Sequence, residues 1–548
     1  MNKPISKKQQ LRIERLAAIK KAEENKANHI KKLNDTYASA FKDRIYTTWK
    51  SNNDTNYVIH VGKTGSGKTY QALERLKEVG SGVYLAPLRL LAWEIYDNLN
   101  SNNYRCSLVT GEEQIISNNA HFTACTIEML NYSKEHEMLI VDEAFMIGDK
   151  ERGKSWLKAI LSAKAKEIHI ITNDESLHLI TNILNKTDKK HTVKRHQVLQ
   201  EFKFKDNAFG IGKKTPNRGV FVTFSRIDVL VNKLKLENLG KKVSILYGNL
   251  PPEVKKIQIS DFVSGKTDVM VCTDVIGMGI NVPCDYLVFL KAEKYDGVTN
   301  RMLNSIEIKQ IAGRTGRYGL SNSDSFVSAV NQKDLNYIKK QYLLTNVVNK
   351  AYIGLDYEMF CSFHENMTIA QRIKSFQDID FIPDSLKDVV SKESTTRYFE
   401  VADIIEREKF DIDTVWAFLT APVKYNNKYY FSRVVSSYKT QGKIITPTIH
   451  SHYNDAKDVE DIISEVELYL NMTRNLNHDS TEKEQIIKDK EILIDKLTQM
   501  LLDKKLNKKK CKSCSTMLSI LSPHNYCDNC HRDYYQRNRW DDDDDWLY

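Results

Sequence analysis

Gly62-Lys63-Thr64-Gly65-Ser66-Gly67-Lys68-Thr69 lies between the apolar run Tyr57–Val61 and a helix-spaced set, Ala72, Leu73, Leu76 and Val79. A strand that turns through glycines into a helix is a phosphate-binding loop, and it commits this part of the chain to a parallel α/β sheet with a nucleotide at the carboxyl ends of its strands. The glycines let backbone N–H groups approach phosphate. Lys68 supplies a point charge to the β and γ oxygens, and the Thr69 hydroxyl is of the right type to hold Mg2+. ATP and Mg2+ are the cofactors this segment predicts.

About 70 residues on, Met138–Val141 reads as a buried parallel strand ending in Asp142-Glu143-Ala144-Phe145. An acidic pair there is the Walker B arrangement, in which Asp142 holds Mg2+ through water and Glu143 polarises the attacking water. Further on, Gln310-Ile311-Ala312-Gly313-Arg314-Thr315-Gly316-Arg317 resembles the sixth motif of superfamily two helicases. That resemblance implies arginines contributed to the γ-phosphate by a second RecA-like domain, so that hydrolysis waits on closure of a cleft. The expected catalytic set is Lys68, Asp142, Glu143, Gln310, Arg314 and Arg317.

The apolar runs between these landmarks fit two doubly wound lobes. Val83–Ala86, Met138–Val141 and Glu167–Thr172 serve the first; Gly219–Phe224, Val243–Leu246, Asp268–Thr273, Tyr286–Leu290 and Ser325–Val330 serve the second. The predicted fold class is α/β, with two tandem RecA-like domains followed by a helical domain and a small zinc ribbon. Boundaries fall at 1–50 (basic N-terminal helical extension), 51–196 and 197–345 (first and second RecA-like domains), 346–478 (helical domain), 479–510 (connecting helix), 511–532 (zinc ribbon) and 533–548 (acidic tail).

Gly82–Ala92, Val109–Glu113, Thr126–Met129, Tyr247–Pro252 and Thr273–Asn281 together look like the suppressor-of-Var helicases, the helicase subunit of the mitochondrial degradosome. Phe418–Val423 and Leu468–Leu470 resemble that family's helical C-terminal region, so the likeness covers roughly residues 55–478. It implies ATP-driven 3′ to 5′ movement on a single strand and opening of RNA, DNA or hybrid duplexes. Carried over residue by residue, Arg89, Thr110, Thr126, Ser225, Arg226 and Thr273 touch the sugar–phosphate backbone and Gly277 lies at the nucleotide. These residue types grip phosphates without reading sequence. Thr110 and Ser225 are equally the types that cap helices. Two departures stand out: Asp142–Phe145 replaces Asp-Glu-Ile-Gln, and Ile171–Asp174 matches the third motif poorly. The motifs leave two rival readings, a translocase that does not separate strands and a nucleic-acid-binding scaffold with an ATP switch.

The net charge is +10, and rises to +15 without the five aspartates 541–545, a sign suited to a backbone-tracking protein. Single-stranded RNA or DNA and duplexes with overhangs are the expected partners, and nothing in the residues chooses RNA over DNA. No apolar run approaches a membrane span. Residues 1–50 carry 13 Lys/Arg against 5 Asp/Glu, with Leu11, Ile13, Leu16 and Ile19 at helical spacing. Glu14, Glu23 and Glu24 argue against a mitochondrial presequence. The expectation is a cytoplasmic protein of a bacterial or phage-infected cell, its basic helix packing on the first lobe or touching nucleic acid.

Four of the nine cysteines form Cys511-x-x-Cys514 and Cys527-x-x-Cys530, twelve residues apart. Two such knuckles suit tetrahedral Zn2+, and so short a segment has no core of its own. Thr481–Lys505 reads as a connecting helix, with a Thr481/Glu484 capping box and Leu493, Leu497, Met500 and Leu501 on one face. Trp540–Tyr548, five aspartates tipped by aromatics, reads as a tail that docks a partner, occupies the protein's own basic channel or solubilises the chain.

Overall fold

A computed structural model describes residues 21, 31–45, 47–49, 54–198, 201–277, 280, 282–295, 299–316, 325–450, 453, 455–478, 481–502, 508–511, 513–514, 516–519, 527 and 530. Arg317 and the tail 541–548 lie outside them.

The first sheet contains β1 (Asn56–Val61), β2 (Gly82–Ala86), β3 (Cys106–Val109), β4 (Gln114–Ile115), β5 (Phe122–Thr126), β6 (Glu135–Val141), β7 (Lys164–Thr172) and β8 (His191–Arg195). Their order is β4-β3-β5-β2-β6-β7-β1-β8, parallel except for the short β3–β4 pair. The second contains β9 (Lys203–Phe204), β10 (Gly219–Val222), β11 (Val243–Leu246), β12 (Val269–Cys272), β13 (Tyr286–Phe289) and β16 (Phe326–Ala329), in the order β11-β12-β10-β13-β16-β9, all parallel. A separate hairpin, β14 (Glu293–Tyr295) with β15 (Asn300–Met302), stands outside it.

Strands β2, β10, β12 and β13 inside the sheets, and β11 at the edge of the second, are buried at every residue. That is why they read as unbroken Val, Ile, Leu and Phe rather than as an alternation: helices cover both faces of a parallel sheet. β8 is different, with the sequence His-Thr-Val-Lys-Arg and mostly exposed side chains, so it carries no apolar run although it pairs with β1 in parallel register.

A helical body follows the second lobe, and two elements join it unexpectedly. The helix spanning residues 31–45 packs Phe41 edge-on against Phe363 and Phe381, while Arg44 pairs with Asp356 and Glu358. This part of the N-terminal extension is held by the helical body, whereas Leu11, Ile13, Leu16 and Ile19, on which the expectation of a helix packing on the first lobe or touching nucleic acid rests, lie outside the described residues. The helix Lys483–Leu502 does not stand free as a connector. Its Leu493, Leu497, Met500 and Leu501 are buried, it packs along the helix Ala456–Asn475, and Lys490 reaches Glu253 of the second lobe at 2.9 Å. Eight buried positions in succession on Ala456–Asn475, from Val466 to Thr473, explain why that helix carries so much of this body's core.

Gly219 in β10 shows how tightly the second lobe is packed. A Cβ there would lie 2.0 Å from Cζ of Tyr286, its register partner on β13, and the Tyr286 hydroxyl is itself fixed by donating to the Pro216 carbonyl. Gly219→Ala is expected to cost about 1–3 kcal/mol through overpacking, read as a lower denaturant midpoint for the second lobe.

Candidate nucleotide cleft and nucleic-acid track

The loop Gly62–Gly67 leaves β1 and enters the helix Lys68–Val79, with Gly65 and Gly67 at φ of 81° and 76°. A side chain resists that left-handed backbone, which is what the glycines allow. Ser66 Oγ donates to the Lys63 carbonyl at 2.8 Å, and Lys68 Nζ donates to the Gly62 and Lys63 carbonyls at 2.6 and 2.7 Å. Burial lowers the Lys68 pKa, while Glu143 and Asp142 work to raise it.

Asp142 follows β6 directly. One carboxylate oxygen accepts from the Tyr84 hydroxyl and lies 3.5 Å from Thr69 Oγ1; the other accepts from the Glu143 N–H at 2.7 Å; its carbonyl accepts from Trp156 Nε1 at 2.9 Å. Burial, and then the Glu143 charge, push its pKa up to about 6. A carboxylate and a hydroxyl so close in a buried corner suit Mg2+, whose charge would restore the ionised form. Glu143 takes a left-handed backbone, φ 48°, that aims its half-buried side chain toward the second lobe.

That lobe supplies Arg314. Its guanidinium, 3% exposed, donates to the Gly277 carbonyl at 2.7 Å and comes within 3.5 Å of Glu143 Oε1, and its Nε makes no hydrogen bond among the described residues. Lys309 reaches back to Glu175 of the first lobe at 2.6 Å. Gly313 abuts the phosphate loop so closely that a Cβ there would lie 2.8 Å from Thr64 Cβ. Between the lobes opens a cleft of about 500 Å³, lined by Lys63, Thr64 and Gly65 on one side and by Gln310, Gly313 and Thr315 on the other. In the poorly matching third motif, the Asn173 side chain caps the helix Asp174–Lys186 and Thr172 Oγ1 meets Ser176 Oγ at 2.5 Å.

The residues carried over as nucleic-acid contacts lie in a different setting. Arg226 makes a bidentate pair with Glu460 at 3.0–3.1 Å, and Tyr247 donates to the same carboxylate at 2.5 Å. Arg89 pairs with Glu112 and, at 3.2 Å, with Glu467. Asn471 donates to the Gly111 carbonyl and Arg474 to the Thr110 carbonyl. Glu460, Glu467, Asn471 and Arg474 are spaced by seven, four and three residues, one stripe of the helix Ala456–Asn475. One helix therefore lies along both lobes and holds both arginines by carboxylates. Burial raises the Glu460 carboxyl; Glu467 would also rise on burial, yet Arg89, Lys490 and Lys424 hold it below the usual carboxylate range.

Thr110 is buried and uses its hydroxyl in its own turn, donating to the Glu113 carbonyl and accepting from the Glu113 N–H. Ser225 caps the helix Arg226–Asn238, accepting from Asp228 N. Thr126 ends β5, and Thr273 follows β12, its Oγ1 3.5 Å from Val275 N. Sequence reasoning missed Tyr84, Glu460 and Glu467. It also missed a hydrogen-bonded row from β7 through β1 to the residue just after β8: His60 lies 2.9 Å from both His169 and His196. Tyr84 sits in an apolar strand indistinguishable from core. The acidic stripe had a signal, carboxylates seven apart on an otherwise buried helix.

Near the C-terminus, the sulfurs of Cys511, Cys514, Cys527 and Cys530 lie within 4.8 Å of one another, with Cys514 and Cys527 3.6 Å apart. A tetrahedron with Zn–S of about 2.3 Å has edges of about 3.8 Å, so the four residues fit that ion.

Residues 43–196 match the DEXQ-box helicase domain of Suv3, and residues 194–319 match the helicase conserved C-terminal domain. Together these matches support the SUV3-like helicase family as the one this chain resembles. The chain is 37% identical over 308 residues to the ATP-dependent RNA helicase SUV3, mitochondrial, of Saccharomyces paradoxus, a match that takes in 53% of this chain and 42% of that protein. It is 29% identical over 479 residues to the DExH-box ATP-dependent RNA helicase DExH16, mitochondrial, of Arabidopsis thaliana, covering 82% of this chain and 81% of that one. The match thus spans less than half of the yeast relative's length. These names overturn the expectation of a bacterial or phage cytoplasm: the relatives are mitochondrial proteins, and the Lys- and Glu-containing N-terminus and acidic tail were a poor guide to compartment. Among the described residues, no helix is long and apolar enough to cross a membrane.

Gly313→Ala is expected to hold the lobes apart at the phosphate loop and lower kcat for ATP hydrolysis by about 10- to 100-fold, since small misplacements are costly at a reacting centre. The thermal midpoint should stay within about 2 °C of the parent.

Proposed function

We propose that this protein is an ATP-dependent nucleic-acid helicase that moves 3′ to 5′ on a single strand, with RNA the favoured substrate. The approach of Arg314 to Glu143 across the cleft carries the reading. An acid suited to polarising water and an arginine suited to γ-phosphate charge belong to different lobes, and each is incomplete alone. In this reading the loop Gly62–Thr69 binds the triphosphate, with Lys68 exchanging loop carbonyls for phosphate oxygens. Thr69 and Asp142 would hold Mg2+, which would supply charge neutralisation to the triphosphate. Glu143 orients water, Gln310 lines the cleft, and Arg314, joined by Arg317, stabilises the charge that develops. Gly277 holds Arg314 through its carbonyl.

Arg89, Thr110, Thr126, Ser225, Arg226 and Thr273 form the proposed strand-contacting set, and for the two arginines this means exchanging Glu467 and Glu460 for phosphates. The names of the relatives support RNA as substrate and the mitochondrion as compartment. A full hydrolytic set favours the helicase over an ATP-switched scaffold, which would not require it.

Matched RNA and DNA duplexes with 3′ or 5′ overhangs test the proposal beside Glu143→Gln. Unwinding from a 3′ overhang, reduced at least 100-fold in Glu143→Gln, is the expected result. Strand-stimulated hydrolysis without unwinding would replace it by a translocase, and hydrolysis indifferent to nucleic acid would overturn it.

The four cysteines are proposed to hold one structural zinc. Metal analysis of the purified chain is expected to give one zinc per molecule, lost in Cys514→Ser/Cys527→Ser. Because binding energy on the order of 10–16 kcal/mol would hold so short a segment together, chelation should expose residues 511–530 to protease while the helicase lobes stay resistant.

A further inference from the structure

After Phe418–Val423 the chain winds through a short turn, Tyr425–Asn427, into the helix Lys428–Gln441. Its two asparagines face inward. Asn426 donates to Asp461 at 2.9 Å, and Asn427 donates to the Ser464 carbonyl and hydroxyl at 3.3 and 3.1 Å. Both partners lie on the helix Ala456–Asn475, within a turn of Glu460 and Glu467. With the asparagines anchored, the tyrosines on either side project away: Tyr425 is 99% exposed and Tyr429 77%. They are four residues apart, Tyr425 opening the short 3-10 turn and Tyr429 in the first turn of the helix that follows.

The position of the pair matters as much as its exposure. Lys424 borders a small enclosed gap with Asn249 and Pro251 of the second lobe and with Glu460 and Glu467. Its charge acts on Lys255 and Glu467 together with that of Arg89. Tyr425 therefore emerges where both lobes and the helical body meet, beside the two arginines of the strand-contacting set. A single exposed ring is ordinary on a protein surface. Two exposed rings four residues apart, interleaved with Lys424 and Lys428 at such a seam, combine a stacking surface with positive charge, as proteins that hold single strands without sequence preference do.

We propose that Tyr425 and Tyr429 form a stacking platform for successive bases of single-stranded nucleic acid, with Lys424 and Lys428 beside them for its phosphates. This rests on the helicase reading and adds a third contact region to it, on the helical body rather than on either lobe. Stacking uses the face that every base shares, so the platform grips without selecting sequence, in keeping with a motor that must pass over any strand. It also gives the helical body a hold on the strand while the lobes open and close.

The test uses the full chain and fluorescently labelled single-stranded oligonucleotides, one ordinary and one of equal length with abasic sites throughout. Tyr425→Ala/Tyr429→Ala is expected to bind the ordinary strand at least 10-fold more weakly than the parent and the abasic strand equally well. Tyr425→Phe/Tyr429→Phe should bind like the parent. The slope of log affinity against log salt should be unchanged, because no phosphate contact is removed. Hydrolysis of ATP without nucleic acid should match the parent, which also reports intact folding. Parent-like affinity of the double alanine variant for the ordinary strand, or an equal loss on the abasic strand, would overturn the platform and turn attention to a protein as the occupant of the two rings. Failure of the parent to bind either strand would overturn the helicase reading itself.

Discussion

Arg314 is a buried guanidinium with one carbonyl and one distant carboxylate for partners, and the arrangement of both lobes follows from where it must stand. Burying an unpaired charge costs several kcal/mol, so an arginine that is 3% exposed with an unpartnered Nε holds a position that further negative charge would stabilise. Its carboxylate, Glu143, belongs to the other sheet. Two parallel sheets therefore present their carboxyl ends to a shared cleft, and the charge balance of that cleft depends on how closely they approach. Lys309 with Glu175 and the Gly313–Thr64 contact define the same approach.

The second organising element is the helix Ala456–Asn475. Its stripe of Glu460, Glu467, Asn471 and Arg474 touches Arg226 of one lobe and Arg89, Thr110 and Gly111 of the other. A relative movement of the lobes must either carry this helix with one of them or break ion pairs in a partly buried setting. Breaking a pair there leaves an uncompensated charge unless another anion takes its place. A phosphate backbone is such an anion. In the proposed function, the same stripe that holds the lobes together is thus a natural point for coupling between nucleotide, strand and helical body.

Much of the motor is legible in the sequence because its chemistry is local. The phosphate loop, the acidic pair after β6 and the strands buried on both faces each occupy fewer than ten consecutive residues, and each has a composition that physics dictates. β8 escaped because it is an edge strand with exposed polar side chains, which leave no apolar run to read. The pairs Arg226–Glu460 and Arg89–Glu467 escaped because 234 and 378 residues separate their members, and no periodicity within a segment encodes such a partner. Thr110 and Ser225 illustrate a third cause. A hydroxyl at a turn serves its own backbone as readily as a ligand, and both do so here. The docking of residues 31–45 against Phe363 and Phe381 is likewise a matter of tertiary fit between aromatic faces.

The claim on which this account turns is that the second lobe completes the hydrolytic site. The most direct measurement is single-turnover hydrolysis of ATP by Arg314→Ala, with nucleotide affinity determined separately on the same protein. An arginine acting on transition-state charge contributes on the order of 10³-fold or more in rate. The account predicts a fall of that size with ATP affinity within a few-fold of the parent. A variant that hydrolyses ATP at the parent rate would contradict it and leave the first lobe as the whole of the catalytic site.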